Sequence, residues 1–153
     1  MRLKFLLIVI GPLLLLPALV RARNGQEDSS AIVGVWLTAE GKARIQIEKS
    51  GDVYSGKIIW LKEPDEDGKP KVDKKNPDEH LRTRPIIGLE IVYGFRYDDD
   101  NEWTGGKVYD PESGNEYKAK MILVDEKTLK LRGYILVPLL GRSEIWTREE
   151  RGR

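Results

Sequence analysis

Asp73-x-x-Asn76-Pro77, followed closely by Arg82-x-Arg84-Pro85, sets a carboxylate, an amide and two guanidiniums within one irregular stretch of chain. Such groups suit an acidic or hydroxylated ligand, because an arginine fork pairs bidentately with a carboxylate and an amide both donates and accepts. A structural role competes with that chemistry. Asn76 reads as a helix N-cap, Pro77 as the first helical position and Glu79 as the residue closing a capping box. On this reading Asp73 pairs with Arg82 or Arg84 to fix the loop. The capping pattern already accounts for Asn76, so the structural role is the expectation, with Arg84 retained as a ligand-facing candidate.

Trp60, Trp103, Tyr109, Tyr117 and Tyr134 are the aromatic candidates for a pocket that stacks on an apolar or sugar ring. Any one of them is as well explained by core filling. Glu90, Glu102, Glu116 and Glu144 could converge as a glycosidase pair, but no nucleophile elbow, phosphate loop or nucleophile with a neighbouring base is present, so an enzyme is not expected. Asp65-Glu-Asp67-Gly68 lacks the ligand spacing of a calcium loop. His80 is the single histidine and there is no cysteine, so neither a zinc site nor a disulfide framework is expected, and no cofactor is implied.

The elements that must position these groups begin with a leader. Met1-Arg-Leu-Lys4 is basic, 5–16 is apolar, and Val20-Arg-Ala22 supplies small residues at a cleavage site, the pattern of an export signal over 1–22. The apolar run is interrupted by Gly11, Pro12 and Pro17 and falls short of the roughly 18 to 20 residues of a bilayer span. Cleavage removes Arg2, Lys4 and Arg21, so 26 basic residues become 23 against 25 acidic ones, about −2. The two signs are interspersed, which argues against a footprint for nucleic acid or anionic lipid. The exported product is expected in the periplasm or outside the cell.

After a flexible linker (23–31) one domain remains, over 32–150. Strand-like runs occur at 32–38, 44–48, 53–61, 86–97, 102–109, 117–123, 128–137 and 142–148. Ile45 and Ile47 alternate with Arg44, Gln46 and Glu48, and Leu129 and Leu131 with Lys130 and Arg132, the period of a sheet with one wet face. The stretch 62–85 is too polar for a strand pair, and a helix begun at Asn76 must end near Arg84 before Pro85. Connections too short for crossovers make the sheet antiparallel and up-and-down, and eight such strands close into an all-β barrel in preference to a sandwich.

Gly34-x-Trp36, Gly56-x-Ile58, Asp73-x-x-Asn76-Pro77, Arg82-x-Arg84-Pro85-x-x-Gly88, Trp103-x-Gly-Gly106-x-x-Tyr109-Asp110-Pro111-x-Ser-Gly114-x-x-Tyr117, Leu131-Arg-Gly133 and Gly141-Arg-Ser-x-x-Trp146-x-Arg148 together resemble a bacterial family of unknown function, DUF2147. The resemblance implies a small exported protein with a lipocalin-like barrel, and no settled activity. It also implies closure of one barrel end by Gly34, Trp36 and Trp146 with an arginine, Arg142 or Arg148, over the Trp36 indole, a contact of ~0.5 to 2 kcal/mol. The function expected from all this is binding of a small, mainly hydrophobic ligand in the barrel interior. A filled barrel acting as an envelope interaction protein is the alternative, and a saccharide hydrolase a third.

Overall fold

The computed structural model describes residues 28–150, so the expected leader and the first part of the expected linker lie outside the described residues. Ten strands follow in order: β1 (Gly34–Leu37), β2 (Ala43–Ser50), β3 (Val53–Leu61), β4 (Asp65–Glu66), β5 (Lys69–Pro70), β6 (Glu90–Tyr97), β7 (Glu102–Asp110), β8 (Asn115–Asp125), β9 (Thr128–Tyr134) and β10 (Gly141–Arg148). Eight of them form a closed antiparallel barrel in which each strand pairs with its neighbours in sequence and β10 returns to β1. The remaining two, β4 and β5, form a separate hairpin.

Alternation decides which side chains fill the barrel. On β2, Ala43, Ile45 and Ile47 are buried while Arg44, Gln46 and Glu48 are not. The interior is packed with Trp36, Tyr54, Phe95, Trp103 and Trp146, each less than 2 % exposed. Burying an aromatic of this size contributes about 3 kcal/mol. Two glycines make room for it: a β-carbon on Gly56 would stand 2.6 Å from Val92 Cγ2, and one on Gly106 2.3 Å from the Phe95 ring.

The register sets the short hairpin turns at 51–52, 98–101 and 126–127 at one end of the barrel, beside the incoming chain. That end is closed. Arg148 lies with its guanidinium carbon 4.2 Å from the Trp36 ring centroid. It donates to Glu126 O at 2.7 Å and Val33 O at 3.1 Å, and also to Ala31 O. Trp36 Nε1 donates to Ile32 O at 2.8 Å. Gly34, at φ 138°, leaves just enough space, because a β-carbon there would sit 3.0 Å from Arg148 Nη1. Trp146 is buried opposite Leu129. Arg142, also assigned to closure, stands instead at the open end, opposite Gly133 on the first turn of β10. Five residues of strand separate it from Arg148, so only one of the two arginines can reach Trp36.

Several expected boundaries shift for physical reasons. Residues 28–31 are not a free linker: Ala31 N donates to Asp28 O, and Ser29 O accepts from Trp103 Nε1 at 3.2 Å. The sheet resumes at Glu90 and not at Ile86, since Gly88 has φ 92° and Leu89 N turns back to Ile86 O. The expected short helix is a single 3-10 turn, Glu79–Leu81, capped by Asp78 through His80 N at 3.0 Å. Asn76 instead accepts from Asp78 N, an Asx turn one step earlier, and Glu79 pairs with Arg82. The stretch judged too polar for paired strands does form β4–β5, because Asp67 and Gly68 both adopt positive φ in a two-residue hairpin turn.

Gly106→Ala is expected to destabilise the barrel by about 1–3 kcal/mol through overpacking against Phe95. Urea denaturation checks this, and Phe95→Leu in the Gly106→Ala background should restore part of the loss.

Candidate functional site

The open end carries the long β3–β6 connection, which folds back over the outer wall of β6–β8. Its pivot is Asp73, a carboxylate with no exposure. A buried charge is costly unless it is paired and hydrogen-bonded, and Asp73 is surrounded by donors. Oδ2 accepts from Asn76 Nδ2 at 2.8 Å and from Arg84 Nε at 2.9 Å, with Arg84 Nη2 at 2.8 Å. Oδ1 accepts from the Tyr109 hydroxyl at 2.6 Å. Asn76 Nδ2 lies 3.1 Å from that hydroxyl as well, and Arg84 stands over the Tyr109 ring at 5.7 Å. Asp73 N donates to Arg84 O, so backbone and side chain tie the same two residues.

Three separate motifs therefore meet in one knot. Arg82 Nε donates to Asn76 O at 2.8 Å and holds the turn of Pro77 from below. Pro85 forms an isolated bridge with Val72 that draws the two ends of the loop together. Gly114, at φ 75°, supplies the close approach: a β-carbon there would lie 2.0 Å from Lys75 O. The Gly114 turn of β7–β8 and the Asp73–Asn76 turn thus pack closely against each other at Lys75.

Beside the knot lies a cleft of about 640 Å³, lined among others by Arg84, Tyr93, Tyr109, Asn115 and Glu116, with Leu81 and Leu89 as apolar walls. Glu90 lines the same cleft. Glu116 accepts from Lys107 and from the Tyr93 hydroxyl, and these two contacts hold its carboxyl below the ordinary carboxylate range. Burial pushes the phenol of Tyr93 well up, and Glu116 adds to the shift. Burial likewise raises Tyr109, helped by its hydrogen bond to Asp73. Both tyrosines stay neutral donors over the physiological range, and Asp73 is held by three partners.

The other sequence candidates are dispersed. Trp103 is buried in the closed half of the barrel, edge-on to Tyr97 and Tyr54. Tyr117 lines the mouth of the interior, half-buried, with Val108 opposite it and Gly133 near its β-carbon. Tyr109 and Tyr134 point outward, paired with Glu116 and Lys118 respectively. Trp60 is also outside, beneath Arg44 at 4.5 Å, and Arg44 pairs with Glu149 at 2.7 Å. Of the four glutamates, Glu102 bonds Lys120 and Glu144 accepts from Ala39 N; only Glu90 and Glu116 share the cleft. Tyr93 and Asn115 were missed. Tyr93 sits between buried Val92 and Phe95, where the bulge at Gly94 disturbs the alternation that would have marked it as outward-facing.

The family model for an uncharacterized protein conserved in bacteria, DUF2147, matches residues 34–148. The chain belongs to this family. Every element of the barrel and the whole Asp73 knot fall inside the matched span of the DUF2147 domain. Among solved structures it is similar to protein HP1028 from Helicobacter pylori, described as belonging to the lipocalin family, with a TM-score of 0.67 and 21% identity over 77% of this chain and 82% of that one. That likeness identifies the fold as a lipocalin-like barrel. A redesigned β-barrel aligns at a TM-score of 0.43 and 13% identity, covering 80% of this chain and 95% of the other. A search of curated proteins gave no match.

Tyr109→Phe leaves Asp73 Oδ1 without a donor and should cost about 1.5–3 kcal/mol, the usual contribution of a hydrogen bond to a charged group; the urea midpoint reads it. The phenol's folded pKa lies above its ordinary value of 10.0, so its stabilising contribution is complete below that pH and is lost as pH rises through and beyond it. Denaturation measured across the alkaline range should show stability falling above about pH 10, with a shallower fall in Tyr109→Phe.

Proposed function

We propose that this protein is an exported binding module that holds a small, hydroxylated, uncharged molecule of the saccharide class in the cleft between the rim loop and the outer wall, and that it binds this molecule without transforming it. The observation that supports the reading is the convergence of Arg84, Tyr93, Tyr109, Asn115 and Glu116 around one space of about 640 Å³, above the roughly 300 Å³ at which ligand pockets begin. Aromatic rings and short apolar walls suit the faces of a sugar ring, while amide and carboxylate groups suit its hydroxyls. The charge balance disfavours an anion. Asp73 answers Arg84, Lys107 answers Glu116, and Glu90 adds a negative charge. Export rests on the leader-like sequence at 1–22.

A small apolar ligand inside the barrel is the competing reading, and the half-buried Val108, Tyr117 and Gly133 at the mouth favour it. Below that layer the tryptophans and the tight contacts at Gly56 and Gly106 fill the interior. An amide-resolved NMR titration with neutral oligosaccharides distinguishes the two. Shifts are expected at Arg84, Tyr93 and Asn115, and Tyr93→Ala should weaken binding by about tenfold through loss of ring stacking. Shifts confined to Tyr117 and Gly133 on adding a fatty acid, with none from the oligosaccharides, would move the site into the barrel.

A further inference from the structure

The connection between β9 and β10 lies beyond the last pair of their ladder, Tyr134↔Gly141. It reads Ile135-Leu-Val-Pro-Leu-Leu140, with Ile135 70%, Leu136 76%, Leu139 84% and Leu140 68% exposed. Consecutive exposed aliphatics on one projecting loop are unusual in a soluble domain, where apolar surface is normally scattered. Their presentation is not accidental slack. Arg132 clasps the loop through Nη2 to Leu139 O at 3.1 Å and Nη1 to Ser143 Oγ at 3.0 Å, and Leu140 N donates to Val137 O.

The strands that carry this loop have a second peculiarity. The outward positions of β7, β8 and β9 gather Lys107, Lys118, Lys120, Lys130 and Arg132 on one wall. The register places Lys107 beside Lys118 and Lys120 beside Arg132. Like charges directly opposite in a sheet are destabilising, so these two cross-strand pairings do not themselves stabilise the ladder. Glu116 and Glu102 answer Lys107 and Lys120. With Asp125, opposite Thr128 at the closed end of β8, five basic against three acidic groups leave this wall at a net charge of two positive. In sequence the two signs are mixed, which argued against an anionic-lipid footprint; strand alternation sorts them by face.

We infer that the loop 135–140 and the basic wall of β7–β9 form a peripheral docking surface for an anionic lipid bilayer. The aliphatic tip enters the acyl boundary, and the lysines with Arg132 and Arg142 lie among the headgroups. Tyr134, outward-facing at the base of the loop, sits at the depth where aromatic side chains favour a membrane interface. A projecting loop suits a bilayer better than a peptide, which needs a groove. Asp28, the first described residue, stands at the closed end of the barrel, away from the loop. No helix among the described residues is long and apolar enough to cross a membrane.

Co-flotation of the purified protein with vesicles of phosphatidylglycerol and phosphatidylethanolamine tests this, with phosphatidylcholine vesicles as the neutral comparison. Partition onto the anionic vesicles is expected, weakening with added salt. Lys118→Glu and Lys130→Glu should each lower the partition coefficient roughly fivefold or more. Leu136→Ser with Leu139→Ser should abolish it at unchanged thermal stability, since both side chains are already exposed. Leu139→Trp adds a direct readout of depth, quenching by lipids brominated in the acyl chain. Absence of partition, or partition indifferent to the loop changes, overturns the inference. So does a solution dimer that the two serines dissociate, which would assign the loop to a second copy of this chain. None of these residues lines the saccharide cleft, so failure here leaves that reading standing, and the reverse.

Discussion

The seam between β1 and β10 is the constraint on which the rest depends. An open eight-stranded sheet would expose two edges and the apolar face that the barrel turns inward, and closure rests on a ladder of only two register pairs, Trp36↔Arg148 and Leu37↔Thr147. So short a ladder is reinforced from the side. Arg148 stacks on the indole of one strand and donates to carbonyls of the incoming segment and of the β8–β9 turn, and Glu149 N adds a bond to Val35 O. Lysine could supply the charge but not the fork, which explains why the closing residue is an arginine. With the seam shut, the tryptophans of β1, β7 and β10 share one buried interior.

At the other end the same problem of burying a charge is solved for a different purpose. Asp73 does not close the barrel; it fixes a long, polar connection that has little apolar surface of its own. Replacing such a network with apolar residues would often be no less stable. What it gives here is a single placement of the loop, with Arg84, Tyr109 and Asn76 fixed along the wall of the cleft. Order in this loop is thus specified by directional bonds, whereas order in the barrel is specified by volume.

That division explains what could be read from the sequence. Strand number, antiparallel order and the packed interior follow from period-two patterns such as Ala43-x-Ile45-x-Ile47, because volume and alternation are local properties of a chain. The pairing of Asp73 with Arg84 was legible as one of two options, since charge and spacing restrict the partners. Tyr109 as the third partner was not, because it comes from a strand far along the chain and is identified only by the wall on which it lands. The helix expected at Asn76 failed for a related reason. Its side chain can cap a helix or close an Asx turn with equal chemistry, and the tertiary demand of Asp73 for the amide nitrogen decides between them. Charge sorting was invisible for want of a face assignment: Lys118, Lys120, Lys130 and Arg132 look mixed with acids in order and are segregated in space.

The bridge between Val72 and Pro85 divides the long connection into two compartments. Below it, 73–84 is a closed ring whose ends are joined by Asp73 N to Arg84 O, and just outside by Ile86 N to Lys71 O. Above it, the β4–β5 hairpin is joined to the ring by little more than the ion pair of Lys74 with Glu66. Mechanically the hairpin is an appendage on a finished joint. Its length and sequence can drift without disturbing the joint, which makes 63–70 the natural graft point of this barrel: a place where evolution, or a designer, can exchange a segment at the rim while the scaffold beneath stays as it is.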